Sequence, residues 1–208
     1  MNREEWLAAR SKGITGTAAA AIMGESPYMS NVDLWEVKTG KKPSPAVDNY
    51  LVEYGRAAEK HLIALFELDY PQFEVKHQEY DLRIHPEHEW LIGSIDGELT
   101  DRESGQKGIL EIKTASIMNA AQSRAWKDGI PNHYFWQVLH YLLVTGFDFV
   151  VLKAQLKYEF SESRTVTTHY RFSRADVPEQ LDVLLKKEKA FWKHVQDGIR
   201  PPLTLPSI

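Results

Sequence analysis

Apolar and polar residues along this chain follow two periodicities that alternate in blocks. From Tyr54 to Leu68 the apolar positions Ala57, Ala58, Leu62, Leu65 and Phe66 recur at helical spacing, with polar residues such as Lys60 between them, and predict a first long helix. Asn132 to Val144 (NHYFWQVLHYLLV) is mostly apolar and predicts another. Val177, Leu181, Leu184, Leu185, Ala190, Phe191 and Val195 mark a terminal amphipathic helix. A short helix over 31–39 follows from Ser30 with Asp33 three residues on, a capping-box-like start, then Val32, Leu34, Trp35 and Val37 before Gly40. Segments 73–84, 90–99, 107–114, 149–158 and 165–172 read as strands. Helix, strands, helix, strands, helix is the order of an α/β sandwich. The breaker cluster Gly198–Pro202 ends the last helix and leaves an extended tail, while Lys41–Asp48 (KKPSPAVD) reads as a short surface loop. With no internal repeat or long linker, one domain over residues 1–208 is expected.

Composition narrows the chemistry. With 208 residues, 43% of them hydrophobic, the chain can bury a real core. It contains no cysteine, which removes disulfides, thiolate metal sites and cysteine nucleophiles. The opening MNREEWLAAR carries charge where a secretory leader needs an apolar core, and no run approaches the ~18 apolar residues of a membrane span, so a cytoplasmic protein is expected. The net charge of −4 argues against coating nucleic acid by bulk electrostatics, so any such contact must use a local groove. None of the eight histidines has metal-site spacing, and solvated or core roles are expected for them.

The candidate chemistry starts at Glu111. Side chains on a strand alternate faces, so Ile109, Glu111 and Lys113 share one side and Leu110 and Ile112 the other. An acid and a lysine between apolar neighbours need compensation, and a divalent cation is one form of it. Fifteen positions earlier, Leu91–Gly97 is an apolar run ending in Asp96 before a glycine. If the two segments pair as a hairpin around Asp101–Gly105, Asp96 and Glu111 converge. With a backbone carbonyl such as that of Ile112 they would make an all-oxygen site suited to Mg²⁺ or Mn²⁺. Taken alone, the same residues also fit a cross-strand ion pair and a turn aspartate. Gln137 and Tyr141, four apart on an otherwise apolar helix, share a face and need polar partners. Glu59 lies four residues after Gly55 and three after Arg56 on one helix face. Gly13–Thr17 is a glycine-punctuated turn running into a helix, where Thr15 or Thr17 could cap and phosphate could bind. Leu51 and Val52, read as an apolar pair at a loop edge, either pack inward or wedge between base pairs.

These residues resemble a known family. Ser94-Ile95-Asp96 followed by Glu111-Ile112-Lys113 is similar to the PD-(D/E)XK nuclease core, with Ser94 in place of proline. Gln137-Val138-Leu139-His140-Tyr141 resembles the Q-x-x-x-Y motif of the branch containing RecB-type nucleases and the phage lambda exonuclease. Gly55-Arg56-Ala57-Ala58-Glu59 resembles that branch's G-x-x-x-E helix, whose acid faces the metal site. Arg10 to Thr17 (RSKGITGT) resembles the opening of the lambda-exonuclease/YqaJ viral recombinase family. The motifs occur in the family's order.

The resemblance implies a restriction-endonuclease-like α/β core, a central mixed sheet flanked by helices. It implies a Mg²⁺-dependent 5′ to 3′ exonuclease on linear double-stranded DNA, with Mn²⁺ able to substitute, that leaves 3′ overhangs for recombination. On this reading Asp96, Glu111, the Ile112 carbonyl and Glu59 serve the metal and Lys113 activates the nucleophile. Gln137 and Tyr141 position water or phosphate, and Arg10 with Thr17 holds the 5′-phosphate. The family's homotrimeric rings imply a homotrimer here, because a closed ring reconciles an acidic chain with prolonged DNA contact. A single-strand annealing partner, a phage or prophage origin and action in a bacterial cytoplasm complete the expectation. A structure- or sequence-specific endonuclease of the same fold, and a non-catalytic module binding DNA or the annealing partner, are the alternatives.

Overall fold

The computed structural model describes residues 1–45, 49–160 and 164–206. Four helices come first: α1 (Arg3–Ser11), α2 (Gly16–Ile22), α3 (Asn31–Lys38) and α4 (Tyr50–Asp69). Five strands follow, β1 (Phe73–Lys76), β2 (Arg83–Ile84), β3 (Ile92–Gly93), β4 (Gly97–Asp101) and β5 (Lys107–Ile117). Helices α5 (Ala120–Asp128) and α6 (Asn132–Thr145) lead to β6 (Phe149–Tyr158), β7 (Arg164–Ser173) and α7 (Pro178–Asp197). Five strands form one sheet in the order β1-β4-β5-β6-β7, with β5 and β6 parallel and the other neighbours antiparallel. This is the mixed sheet flanked by helices that the motifs imply.

Alternation along the central strands decides which helix covers which face. Leu110, Ile112, Phe149 and Val151 pack under α4 against Leu62, Ile63 and Phe66. Ile109, Val150, Leu152 and Ala154 face the other way, onto Val138, Leu139 and Leu142 of α6 and Leu181 and Leu184 of α7. The strands 149–158 and 165–172 and the helix after Asn132 stand within a residue or so of their expected bounds.

Several expectations are corrected. The segment 73–84 is two strands: β1 ends at Lys76, and β2 pairs with β3 in a separate ribbon, reached through a turn with Tyr80 at φ +58°. The segment 90–99 also divides, because Ile92 donates its N–H to the Ile14 carbonyl and Leu91 bridges Ile14 in parallel, drawing the chain away from the main sheet until β4. Helix α4 begins at Tyr50, not Tyr54, because the Asn49 side chain accepts hydrogen bonds from the N–H groups of Leu51 and Val52. Leu51 and Val52 therefore lie in a helical first turn and not at a loop edge. Helices α1 and α5 lie outside the expected elements; α1 buries no residue and α5 only Trp126, so neither adds much to the core. Of the expected loop 41–48, positions 46–48 lie outside the described residues.

Candidate active site

Strand β5 sets the site. Its alternation aims Glu111 and Lys113 to one side, where Lys113 Nζ lies 2.7 Å from Glu111 Oε1. The hairpin forms as expected, β4 pairing with β5 with Gly97 opposite Leu110. Just before β4, the Asp96 side chain accepts the N–H of Ile112 at 2.7 Å, so the two acids converge across the strand pair. Helix α6 adds Gln137, whose Nε2 donates to Glu111 Oε1 at 2.8 Å and to the Tyr141 hydroxyl at 2.9 Å. The polar pair on this apolar helix thus finds a site carboxylate as its partner.

Two glycines permit this assembly. A Cβ at Gly16 would stand 2.5 Å from the Tyr141 ring and 2.9 Å from Gln137 Cγ, so α2 presses directly on the Gln137–Tyr141 face. A Cβ at Gly55 would meet Thr114 Oγ1 at 3.2 Å, and this close approach of α4 to β5 brings Glu59 toward Asp96.

Charge at the site is strained. Burial first, then the charge of Asp96, pushes Glu111 up to about 8. The same two causes hold Glu59 at about 7. Burial also raises Asp96, against the pull of Lys113 and of the Ile112 N–H. Burial opposes the Lys113 ammonium, yet Glu111 and Asp96 hold its pKa well above the ordinary lysine range. Glu111 Oε2 is buried with no hydrogen-bond partner among the described residues.

An acid pair that resists ionisation, an unpartnered carboxylate oxygen and all-oxygen donors fit a hard divalent cation better than they fit a structural ion pair. Asp96 and Glu111 stand close enough together to share such a cation. No group of three His, Asp or Glu side chains forms a ready cage among the described residues, so Glu59 stands beside the pair without closing it.

A groove of about 1600 Å³ opens over these groups. Asp96, Glu111, Ile112, Lys113, Glu59, Gln137 and Tyr141 line it, and so do Arg10, Thr17, Leu51 and Val52. Arg10 lies over the Trp6 ring at 4.2 Å. Thr15 is buried away from the groove and is the N-cap of α2 by backbone only, since no threonine side chain caps that seven-residue helix. Its hydroxyl instead lies 3.4 Å from that of Thr17.

Sequence reasoning missed three contributors. His77 Nδ1 donates to the Asp96 carbonyl at 2.6 Å, Tyr134 places its ring 5.0 Å from Lys113 Nζ, and Trp6 Nε1 donates to Ser94 Oγ at 3.1 Å. His77 carried no motif. Tyr134 was legible only as one turn before Gln137 on the same helix.

The YqaJ-like viral recombinase domain matches residues 5–148, which hold every site residue named above. The chain belongs to the YqaJ-like viral recombinase family. The uncharacterized protein YqaJ of Bacillus subtilis (strain 168) is 32% identical over 208 residues, a match covering 97% of this chain. The chain spans 59% of the length of that relative. Among solved structures, the alkaline exonuclease LHK-Exo from Laribacter hongkongensis superposes with a TM-score of 0.70 at 19% identity, covering 94% of this chain and 93% of that one. It has also been solved in complex with dAMP. A phage related exonuclease from Haemophilus somnus 129PT superposes with a TM-score of 0.59 at 13% identity, covering 89% of this chain and 96% of that one. This YqaJ-like domain therefore has the restriction-endonuclease-like fold. Among the described residues no helix is long and apolar enough to cross a membrane.

Proposed function

We propose that this YqaJ-like domain is a divalent-metal-dependent exonuclease that degrades linear double-stranded DNA from 5′ ends and leaves 3′ overhangs for single-strand annealing. The observation that carries the reading is the convergence of Asp96 and Glu111 on Lys113, with Glu111 Oε2 buried and without a partner among the described residues at the wall of the groove. Asp96, Glu111 and the Ile112 carbonyl would hold Mg²⁺, or Mn²⁺ in its place, with Glu59 alongside. The cation would supply charge neutralisation to the scissile phosphate and acidify the attacking water.

The chain's own groups do the rest. Lys113, held as an ammonium by two acids, offers positive charge and hydrogen bonds to the phosphate and to the attacking water. Gln137 fixes the Glu111 carboxylate, and the Tyr141 hydroxyl accepts from Gln137. Arg10, with its planar fork of donors, and the exposed Thr17 hydroxyl receive the 5′-phosphate. The phosphate reading rests on these two side chains, not on the short α2 terminus. Leu51, 54% exposed, and Val52 also line the groove and would part the terminal base pairs. A homotrimeric ring of about 72 kDa, three times the 23.9 kDa chain, would keep an acidic protein on its substrate.

The test is digestion of linear against closed circular plasmid. Loss of the linear form with Mg²⁺, its survival with chelator and an untouched circle are expected. Cleavage of the circle would favour the endonuclease, and no cleavage of either the non-catalytic module. Light scattering reads the mass, and a monomer would remove the ring.

A further inference from the structure

Among the described residues, a second ionisable cluster outside the groove is completely buried. His140 of α6 and Glu188 of α7 are both 0% exposed, and His140 Nδ1 lies 2.7 Å from Glu188 Oε1. The other ring nitrogen, Nε2, lies 3.0 Å from the Ile92 carbonyl of β3. A carbonyl only accepts, so Nε2 carries a hydrogen, and the contact between Nδ1 and Glu188 must hold a second one. The ring is therefore fixed at both nitrogens and cannot turn. Glu188 occupies an otherwise apolar stripe with Leu181, Leu184 and Phe191, and its Oε2 has no partner among the described residues. Leucine or methionine would fill that place at lower cost in desolvation. An acid kept there requires a task that packing alone does not explain.

The partners indicate the task. His140 stands one residue before Tyr141 and three after Gln137, the pair that holds Glu111. Ile92, whose carbonyl it binds, is four residues before Asp96. The N–H of Ile92 donates to Ile14 at 2.8 Å, and Ile14 lies between Arg10 and Thr17. Residue Ile92 is thus held on one side by the segment with the candidate phosphate contacts and on the other by the helix that orients Glu111. β3 has only two residues and, among the described residues, pairs as a strand with the two-residue β2, so its place depends on single contacts: His140 at Ile92, Trp6 at Ser94 and His77 at the Asp96 carbonyl.

We infer that His140 and Glu188 are positioning residues that hold β3, and through it Asp96, in register with Glu111 on the opposite strand. Neither touches the groove, so neither is a catalytic residue. The inference rests on the proposed nuclease site and gives α7, which lies beyond the family match, a part in it. Outer partners of this kind typically change activity by about 10- to 100-fold when removed.

The experiment compares Glu188→Ala, Glu188→Gln and Leu184→Ala. Leu184 is fully buried on the same helix, packs in the core under β5 and β6, and does not line the groove. Glutamine restores the hydrogen bonding, because its amide can donate to Nδ1 while Nε2–H still serves Ile92. On linear duplex with Mg²⁺, Glu188→Ala is expected to lower kcat about tenfold with KM within about twofold. Glu188→Gln should recover most of that loss, and Leu184→Ala should lower Tm while sparing kcat. Hydrogen exchange over residues 92–96 should speed in Glu188→Ala, not in Leu184→Ala at matched stability, and slow again in Glu188→Gln. If Glu188→Ala does not fold, Glu188→Met takes its place. Equal kcat loss in Leu184→Ala, or unaltered exchange over 92–96 in Glu188→Ala, overturns the inference. A wild-type protein without hydrolysis overturns the nuclease reading instead, and the exchange measurement still decides the positioning role.

Discussion

Glu111 and Glu188 invite comparison because they share their main local features. Each is a buried acid, each has one oxygen 2.7 Å from a nitrogen, and each leaves its second oxygen without a hydrogen-bond partner among the described residues. Glu111, however, is paired with a lysine that is 17% exposed at the groove, whereas Glu188 is paired with a histidine sealed on all sides. A desolvated acid that can be reached from a groove is a place for a ligand to complete. One that cannot be reached can only act on its neighbours. Burial alone therefore does not identify a catalytic carboxylate; access to solvent separates the two roles.

The comparison breaks most readily at the open end. Glu111→Ala and Lys113→Ala are each expected to lower single-turnover hydrolysis of linear duplex by ~10²- to 10⁴-fold, far more than any change at Glu188. Near-wild-type rates in either variant would erase the distinction. A smaller effect is expected from Arg10→Ala, which should reduce the rate ratio of 5′-phosphorylated to 5′-hydroxyl duplex by about tenfold, as loss of a charge-assisted contact does. An unaltered ratio would assign Arg10 another role. Tyr141→Phe removes the hydroxyl that accepts from Gln137 but leaves the Gln137–Glu111 bond, so a loss of about 1 kcal/mol, or roughly fivefold in kcat, is expected.

The mildest effect is thermal. Glu111 has a folded pKa near 8 against an ordinary value of 4.5, so the neutral acid is the form the fold prefers. Its contribution to stability is complete below the ordinary value and is lost as pH rises through about 8. In metal-free buffer Glu111→Gln should therefore melt about 5 °C above wild type at pH 9, with the gap closing toward pH 5. Added Mg²⁺ should raise the wild-type Tm at pH 9 and not that of the variant. A gap independent of pH would mean that Glu111 is not the strained group.

Much of this was legible in the chain, and the parts that were not have definite causes. Strand alternation placed Glu111 and Lys113 together, and helical spacing placed Gln137 beside Tyr141, because both periodicities survive into the fold. The division of 90–99 was hidden, since the apolar run Leu91–Ile95 looks the same whether it joins the main sheet or leaves it to meet Ile14. Helix α1 was missed because it buries nothing, although its Asn2–Glu5 capping box was present in the sequence. Glu188 was readable in principle: it interrupts the spacing Leu181, Leu184, Phe191 where an apolar residue belongs. His77 and Trp6 reach the site from segments that no periodicity records, to the Asp96 carbonyl and to Ser94.

The parallel pairing of β5 with β6 carries a kinetic consequence. Parallel neighbours cannot be joined by a tight turn, so the chain must travel from Ile117 to Phe149 through α5 and α6 before the two strands can meet. Glu111 and Lys113 lie before that crossover, and Gln137 and Tyr141 lie on it. Gln137 and Tyr141 therefore settle against Glu111 only when a long-range and comparatively slow step of folding has closed. A chain still emerging from the ribosome, with β5 made and β6 not, holds the acidic pair and Lys113 on the β4–β5 hairpin, and the groove over them takes shape only with the finished sheet.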